Sequence, residues 1–101
     1  MHEIECVRLS HLPPFTTLLV RTVNSLYHIV ITPGPDVYVK GGPFFPVPAS
    51  AYINAASAGG NHLTVGCICV GRKAEIRSGN RRVTTSPVLA ITSVVASGSV
   101  Q

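Results

Sequence analysis

The feature that most constrains this fold is a series of short runs rich in valine, isoleucine and leucine, separated by proline and glycine. The clearest runs cover residues 16–22 and 25–32, and Pro33-Gly34-Pro35 follows directly. Proline lacks the backbone N–H that a strand ladder needs, and glycine accepts positive φ at tight corners. Runs of this length between turn residues predict an all-β fold, a small antiparallel β-barrel or sandwich of six to seven short strands.

The strands are expected at 16–22, 25–32, 36–40, 62–70, 74–77, 81–85 and 88–95, with Pro87 ending the strand before it. Gly66 and Gly71 favour strands that bend, which favours a barrel over a sandwich. Residues 49–58 form the one plausible short helix. The dense prolines of the preceding segment predict a loop from which Phe44 and Phe45 insert into the core.

The chain of 101 residues is long enough for one domain. We expect a lead-in at 1–14 (one helical turn or an edge strand), a single β-barrel or sandwich domain at 15–95, and a flexible tail at 96–101. Only 12 % of residues are charged and 46 % are apolar, which predicts exposed apolar surface and a homo-oligomer. An acidic start and the absence of a run of about 20 apolar residues predict a cytoplasmic protein without membrane contact.

The three cysteines do not resemble the disulfide framework of a secreted protein. Cys67 and Cys69 lie two residues apart on one predicted strand, too close to bridge each other without strain. Both could face one zinc ion, but the usual Cys-x-x-Cys turn is missing and His62 would face the other side of the strand. We therefore interpret these cysteines as small core residues and predict no metal and no cofactor.

No complete catalytic motif is present, so the chain is predicted not to be an enzyme. The only acids are Glu3, Glu5, Asp36 and Glu75, too scattered for paired-carboxylate chemistry. A small hydrolase or metal protein using His28 or His62 with Cys67 or Cys69 is kept as a second alternative. Gly41-Gly42 and Gly59-Gly60-Asn61 do not match a phosphate-binding loop, and tight corners explain them.

The net charge of +4 falls entirely within residues 72–82, which hold one acid and five basic residues: Arg72, Lys73, Arg77, Arg81 and Arg82. The turn Ser78-Gly79-Asn80 predicts a hairpin there, and arginine forks match phosphate oxygens. A weak, salt-sensitive nucleic-acid binder is therefore the first alternative. It is not favoured, because this segment has no aromatic residue on which bases could stack. A solvated hairpin tip, which keeps a protein of low charge soluble, is the preferred explanation of the charge.

The leading hypothesis is a non-enzymatic binding module that contacts a protein partner or holds an unknown ligand near its aromatic residues, Tyr27, Phe44, Phe45 and Tyr52. The chain also resembles short uncharacterised bacterial all-β proteins over residues 19–91. The resemblance rests on Arg21-Thr22-Val23-Asn24-Ser25-Leu26-Tyr27, Gly41-Gly42-Pro43-Phe44-Phe45-Pro46, Val70-Gly71 and Thr85-Ser86-Pro87-Val88. It implies a small β fold in a bacterial or mobile-element setting and brings no activity.

Overall fold

A computed structural model describes residues 5–56 and 63–94. It contains nine strands and a single 3₁₀ turn, Leu9–His11: β1 (Cys6–Arg8), β2 (Thr17–Thr22), β3 (Leu26–Ile31), β4 (Val37–Gly41), β5 (Phe45–Ala56), β6 (Leu63–Val65), β7 (Cys67–Cys69), β8 (Lys73–Ser78) and β9 (Arg81–Val94). The all-β prediction is confirmed. The described residues include no helix long and apolar enough to cross a membrane.

The larger sheet closes on itself. Its strand order is β4-β3-β2-β9-β8-β5-β6, and a further pairing joins β4 to β5. Six strands therefore form a closed antiparallel ring, while β6 lengthens the sheet beside β5. Closure removes most of the free strand edges that an open sheet of this size would expose. The fold is thus a small barrel with an added two-stranded sheet, β1–β7.

The core follows the two-residue period of the strands, since alternate side chains point into the ring. On β2 these are Leu18 and Val20, and on β3 they are Ile29 and Ile31. The remaining strands of the ring contribute Val37, Val39, Phe45, Ala51, Ile53, Ala74, Ile76, Val83, Val88 and Ile91. Most of these residues are β-branched, which suits strands packed on a curved surface.

The prediction that Pro87 ends a strand is wrong, because β9 runs through it. Pro87 lies where β9 exchanges its partner: Lys73 of β8 pairs with Pro87, and Thr22 of β2 pairs with Val88. Both the β2–β9 ladder and the β8–β9 ladder are irregular next to Pro87. The missing N–H of this proline therefore breaks no regular hydrogen bond. The Pro87 carbonyl still accepts a 3.1 Å hydrogen bond from the Val23 N–H.

The short helix expected at 49–58 is also wrong, because residues up to Ala56 belong to β5. Residues 57 and 58 lie outside the described residues. Between the pairs Val39–Ala49 and Gly41–Phe45, β4 has one residue and β5 has three, so Pro46 and Pro48 lie in the irregular part of this ladder. Strand β8 joins β5 only from Tyr52 onward. Both prolines therefore avoid regular pairing. Phe45 is buried as predicted, but it projects from a strand, and Phe44 is exposed.

The first described residues pack against the barrel. We call residues 5–14 the entry segment; it contains β1 and the 3₁₀ turn, which are the two alternatives expected from the sequence. Val7 and Leu9 are buried in the core cluster. The strand expected at 62–70 divides at Gly66, whose φ is +70°, into β6 paired with β5 and β7 paired with β1. The predicted tail at 96–101 lies outside the described residues.

Candidate functional site

The basic segment forms the expected hairpin. In the β8–β9 ladder Arg77 pairs with Arg82 and Ser78 with Arg81, and Gly79 takes the positive φ of the turn. All three arginines are exposed. Lys73 lies at the far end of β8, about 13 Å along the strand from Arg77, and Arg72 precedes it. The five basic residues therefore divide into an arginine cluster near the turn and a separate pair.

An exposed tyrosine lies beside this arginine cluster. The β5–β8 register places Tyr52 opposite Arg77, and the β8–β9 register places Arg77 opposite Arg82. Directly opposed residues of an antiparallel pair project from the same face, with Cβ atoms about 5 Å apart. Tyr52 is 54 % exposed. The three side chains thus form one row across the outer surface of three strands, so an aromatic ring lies next to the guanidinium groups.

A nearly buried carboxylate holds two of the arginines. The Arg77 Nε–H donates to Glu75 Oε1 at 3.0 Å, and Arg82 Nη1 lies 3.8 Å from Glu75 Oε2. The Asn54 amide also donates to Oε1, at 3.4 Å. Both arginine side chains remain more than half exposed, and each guanidinium has five N–H groups. Glu75 therefore positions the two cations while most of their donors still face solvent.

Tyr52 has a carboxylate, that of Asp36, close to its hydroxyl group. Hydrogen bonding to Asp36, the negative charge of Asp36 and slight desolvation raise the pKa of Tyr52 above its ordinary value of 10.0. Asp36 Oδ2 accepts a 3.1 Å hydrogen bond from the Ser50 hydroxyl. Asp36 therefore lies beside Tyr52, whose ring is still accessible.

The second aromatic contact of the cluster is made by Phe44, which is 50 % exposed. Arg81 Nη1 donates to the Phe44 carbonyl at 3.3 Å, and its guanidinium lies 5.9 Å from the centre of the Phe44 ring, within cation–π range. An open cleft of about 600 Å³ lies here, lined also by Phe45, Ala49, Ser78 and Asn80. We give the name basic–aromatic face to the exposed residues around the hairpin, which are Phe44, Tyr52, Arg77, Arg81 and Arg82. Neighbouring residues of a strand alternate, so Arg81 and Phe44 lie on the other side of the hairpin from the row Tyr52–Arg77–Arg82.

The four aromatic residues predicted to bind a ligand are divided by the structure. Tyr27 and Phe45 are core residues, and the Tyr27 ring packs against Gly42. Phe44 and Tyr52 are exposed and belong to the basic–aromatic face. The sequence offered no local signal for this division, since it depends on which strand lies beside β8.

A second groove, with a volume of about 560 Å³, lies elsewhere. The entry segment forms one wall with Arg8, Leu9 and Leu12, and apolar residues of the barrel, including Ile31 and Ile53, form the opposite side. The groove reaches Tyr52 and Asn54, so one rim adjoins the basic–aromatic face.

The cysteines differ from expectation. Cys6 of β1 and Cys69 of β7 are register partners joined by a disulfide, with their Cα atoms 4.0 Å apart. The Val70 N–H donates to the Glu5 carbonyl beside them, so the cysteines occupy a closely spaced, non-hydrogen-bonded position of the ladder. Cys67 is a buried free thiol, as expected for a small core residue. The interpretation of Cys67 and Cys69 as free core residues is therefore wrong for Cys69, which is bonded to Cys6.

The residues of the hydrolase and metal alternative are not brought together in the described part of the chain. His28 is exposed on β3 in a cleft of about 250 Å³ that is also lined by Thr17, Tyr38 and Lys40. Within residues 5–56 and 63–94, no group of three His, Cys, Asp or Glu side chains could hold a metal ion. His62 lies outside the described residues. The non-enzyme assignment stays a prediction.

Comparisons with protein-family models, curated proteins and solved structures found no match to this chain. The resemblance to short bacterial β proteins thus stays a prediction, and function has to be inferred from the surface itself.

Proposed function

We propose that this protein is a non-enzymatic β-barrel binding module that binds single-stranded nucleic acid on its basic–aromatic face. The observation that supports this proposal is the cross-strand row Tyr52–Arg77–Arg82. Guanidinium groups bind phosphate oxygens two bonds at a time, and exposed rings stack on bases of any sequence. The Arg81–Phe44 contact extends the same combination toward the hairpin turn.

The chemistry favours a single strand over a duplex. Stacking on Tyr52 or Phe44 requires unpaired bases, which a duplex keeps inside its helix. Three arginines neutralise few phosphates, so charge alone would give weak binding. Stacking of bases on the exposed rings supplies the rest of the binding free energy. An acidic protein surface could also meet the arginines, but it would make little use of the accessible rings.

Replacing Tyr52 with alanine is expected to weaken binding of a labelled oligonucleotide of about twelve nucleotides by roughly five- to a hundredfold, since it removes one stacking surface. Fluorescence anisotropy with single-stranded DNA, single-stranded RNA and duplex DNA measures the effect. Phe15→Ala is the control, because Phe15 is 60 % exposed and lies just before β2, which is three strands away from β5 in either direction around the ring. Equal affinities of the two variants would contradict the placement of the site.

Removing the paired cations tests the phosphate contacts separately. Arg77→Gln combined with Arg82→Gln is expected to weaken single-strand binding by about tenfold or more, while glutamine can still donate a hydrogen bond to Glu75. Arg8→Gln with Arg21→Gln lowers the net charge equally at exposed positions elsewhere and should change affinity far less. Equal losses in both pairs would mean that net charge, not this face, causes binding.

We also propose self-association, supported by large apolar side chains that remain exposed on the barrel, among them Leu26, Leu89 and Val94. Because the barrel carries few charges, burying these apolar side chains against a second copy removes apolar surface from water and stabilises the assembly. Light scattering at micromolar concentration is expected to return at least twice the 10.6 kDa chain mass. A 10.6 kDa monomer would contradict this proposal.

Cytoplasmic location likewise stays a proposal, and the Cys6–Cys69 bond is more typical of an oxidising compartment.

A further inference from the structure

The entry segment is fastened through β7 and the residues beside it. Besides the disulfide, the Leu9 N–H donates to the Gly66 carbonyl at 2.8 Å, and the Val70 N–H donates to the Glu5 carbonyl at 2.6 Å. The β1–β7 ladder has only three residue pairs, and a two-stranded sheet of this length is marginal by itself. The buried side chains of Val7 and Leu9 supply the other attachment.

We propose that the Cys6–Cys69 disulfide is a redox-sensitive lock that holds the entry segment against the barrel and so fixes one wall of the 560 Å³ groove. Arg8, Leu9 and Leu12, which line that wall, follow Cys6 directly in sequence. While the bond is intact, β1 cannot leave β7. Once it is reduced, the short ladder, the Leu9–Gly66 hydrogen bond and the side chains of Val7, Leu9 and Leu12 oppose opening without a covalent link, and the groove loses this wall whenever β1 separates.

The exposure of the two sulfur-bearing residues gives the reaction a direction. Cys6 is exposed and Cys69 is buried, so a dithiol reductant reaches the Cys6 sulfur first. Its thiolate attacks Cys6 Sγ, the Cys6–Cys69 bond breaks, and Cys69 leaves as a thiolate that takes up a proton. The second thiol of the reductant then displaces Cys6 from the mixed disulfide. Overall the reductant becomes a disulfide and the protein gains two thiols.

The opening is expected to be local, because the lock lies outside the six-stranded ring. The ring strands β2, β3, β4, β5, β8 and β9 contain no cysteine and close through their own backbone pairings. Cys67 serves as a built-in reporter: its thiol is buried, and it pairs with Arg8 in the β1–β7 ladder. Separation of β1 from β7 should uncover it.

The experiment compares the oxidised protein with protein reduced by dithiothreitol and with a Cys6→Ser, Cys69→Ser variant. Two rates are measured: alkylation of Cys67 by iodoacetamide, after the reductant is removed, and hydrogen exchange of the Leu9 amide. Alkylated residues are located by peptide mass spectrometry, because the reduced protein has three thiols. Both rates are expected to rise roughly tenfold or more in the variant and the reduced protein, while the Val20 and Ile29 amides in the ring change much less.

Two results would overturn the proposal. If Cys67 stays protected and the Leu9 amide stays slow after reduction, the entry segment is held without the disulfide. If the ring amides accelerate as much as the Leu9 amide, the bond stabilises the whole fold and is no local lock. The double-serine variant separates opening from any direct effect of the reductant, since it lacks the bond from the start.

Discussion

Replacing Gly41 with alanine is expected to lower the free energy of unfolding by about 3 to 5 kcal/mol. Gly41 has a φ of +133°, which side-chain-bearing residues rarely adopt. A Cβ at this position would overlap the Leu26 carbonyl oxygen and lie 3.0 Å from the Tyr27 Cα, and both contacts are with backbone that the β3–β4 ladder fixes. For a domain whose total stability is on the order of 5–15 kcal/mol, this loss is large.

Gly79→Ala is the matched control for this prediction. Gly79 also has a positive φ, of +60°, but a Cβ there would meet nothing within 4 Å. The Gly79→Ala variant should therefore lose only the free energy that a positive φ costs a residue with a side chain, about 1 to 2 kcal/mol. Urea denaturation followed by circular dichroism measures both variants. Equal losses would show that conformation alone, without the overlap at Leu26, explains the requirement for glycine at position 41.

Removing the disulfide is the second change with a large expected effect. Cys6 and Cys69 are separated by 63 residues, and a cross-link across such a loop restricts the unfolded chain by about 4 kcal/mol in the loop-entropy model. Cys6→Ser combined with Cys69→Ser is therefore expected to lose about 4 kcal/mol of stability, with the ring still closed under native conditions.

Cys67→Ala provides the comparison for the disulfide. It changes a buried sulfur in the same small cluster without removing a cross-link, and about 1 kcal/mol is expected. Denaturation of the wild type with and without reductant should reproduce the double-serine result. A loss below about 1 kcal/mol in the double-serine variant would mean that the Cys6–Cys69 cross-link adds little constraint to the unfolded chain.

The sequence was sufficient where a strand and its partner are close in the chain. The hairpin at Arg77–Arg82 and the strands β2 to β4 follow from apolar periodicity and turn residues. The prediction from the sequence was wrong at β5, where several alanines and the lack of charged residues favoured a helix. The deciding signal was the two-residue period of Ala51, Ile53 and Ala55, all buried, which prolines earlier in the strand obscured.

The candidate site was predictable only in part. The arginine cluster was found from charge, but the ring beside it was not, because Tyr52 reaches Arg77 only when β5 pairs with β8 in one register. The Cys6–Cys69 bond was missed for the same reason, since it depends on β1 pairing with β7. Pairings between distant segments are set by how the whole chain packs together, which no local pattern encodes.

The most direct measurement of the proposed function is a salt titration of binding to a labelled single strand. Contacts from Arg77, Arg81 and Arg82 to three phosphates predict a slope of about −2 for log K against log salt concentration, falling to about −0.7 in the Arg77→Gln, Arg82→Gln variant. Absence of binding to the wild type at roughly 20 mM salt, or the same slope in both proteins, would contradict nucleic-acid binding on the basic–aromatic face.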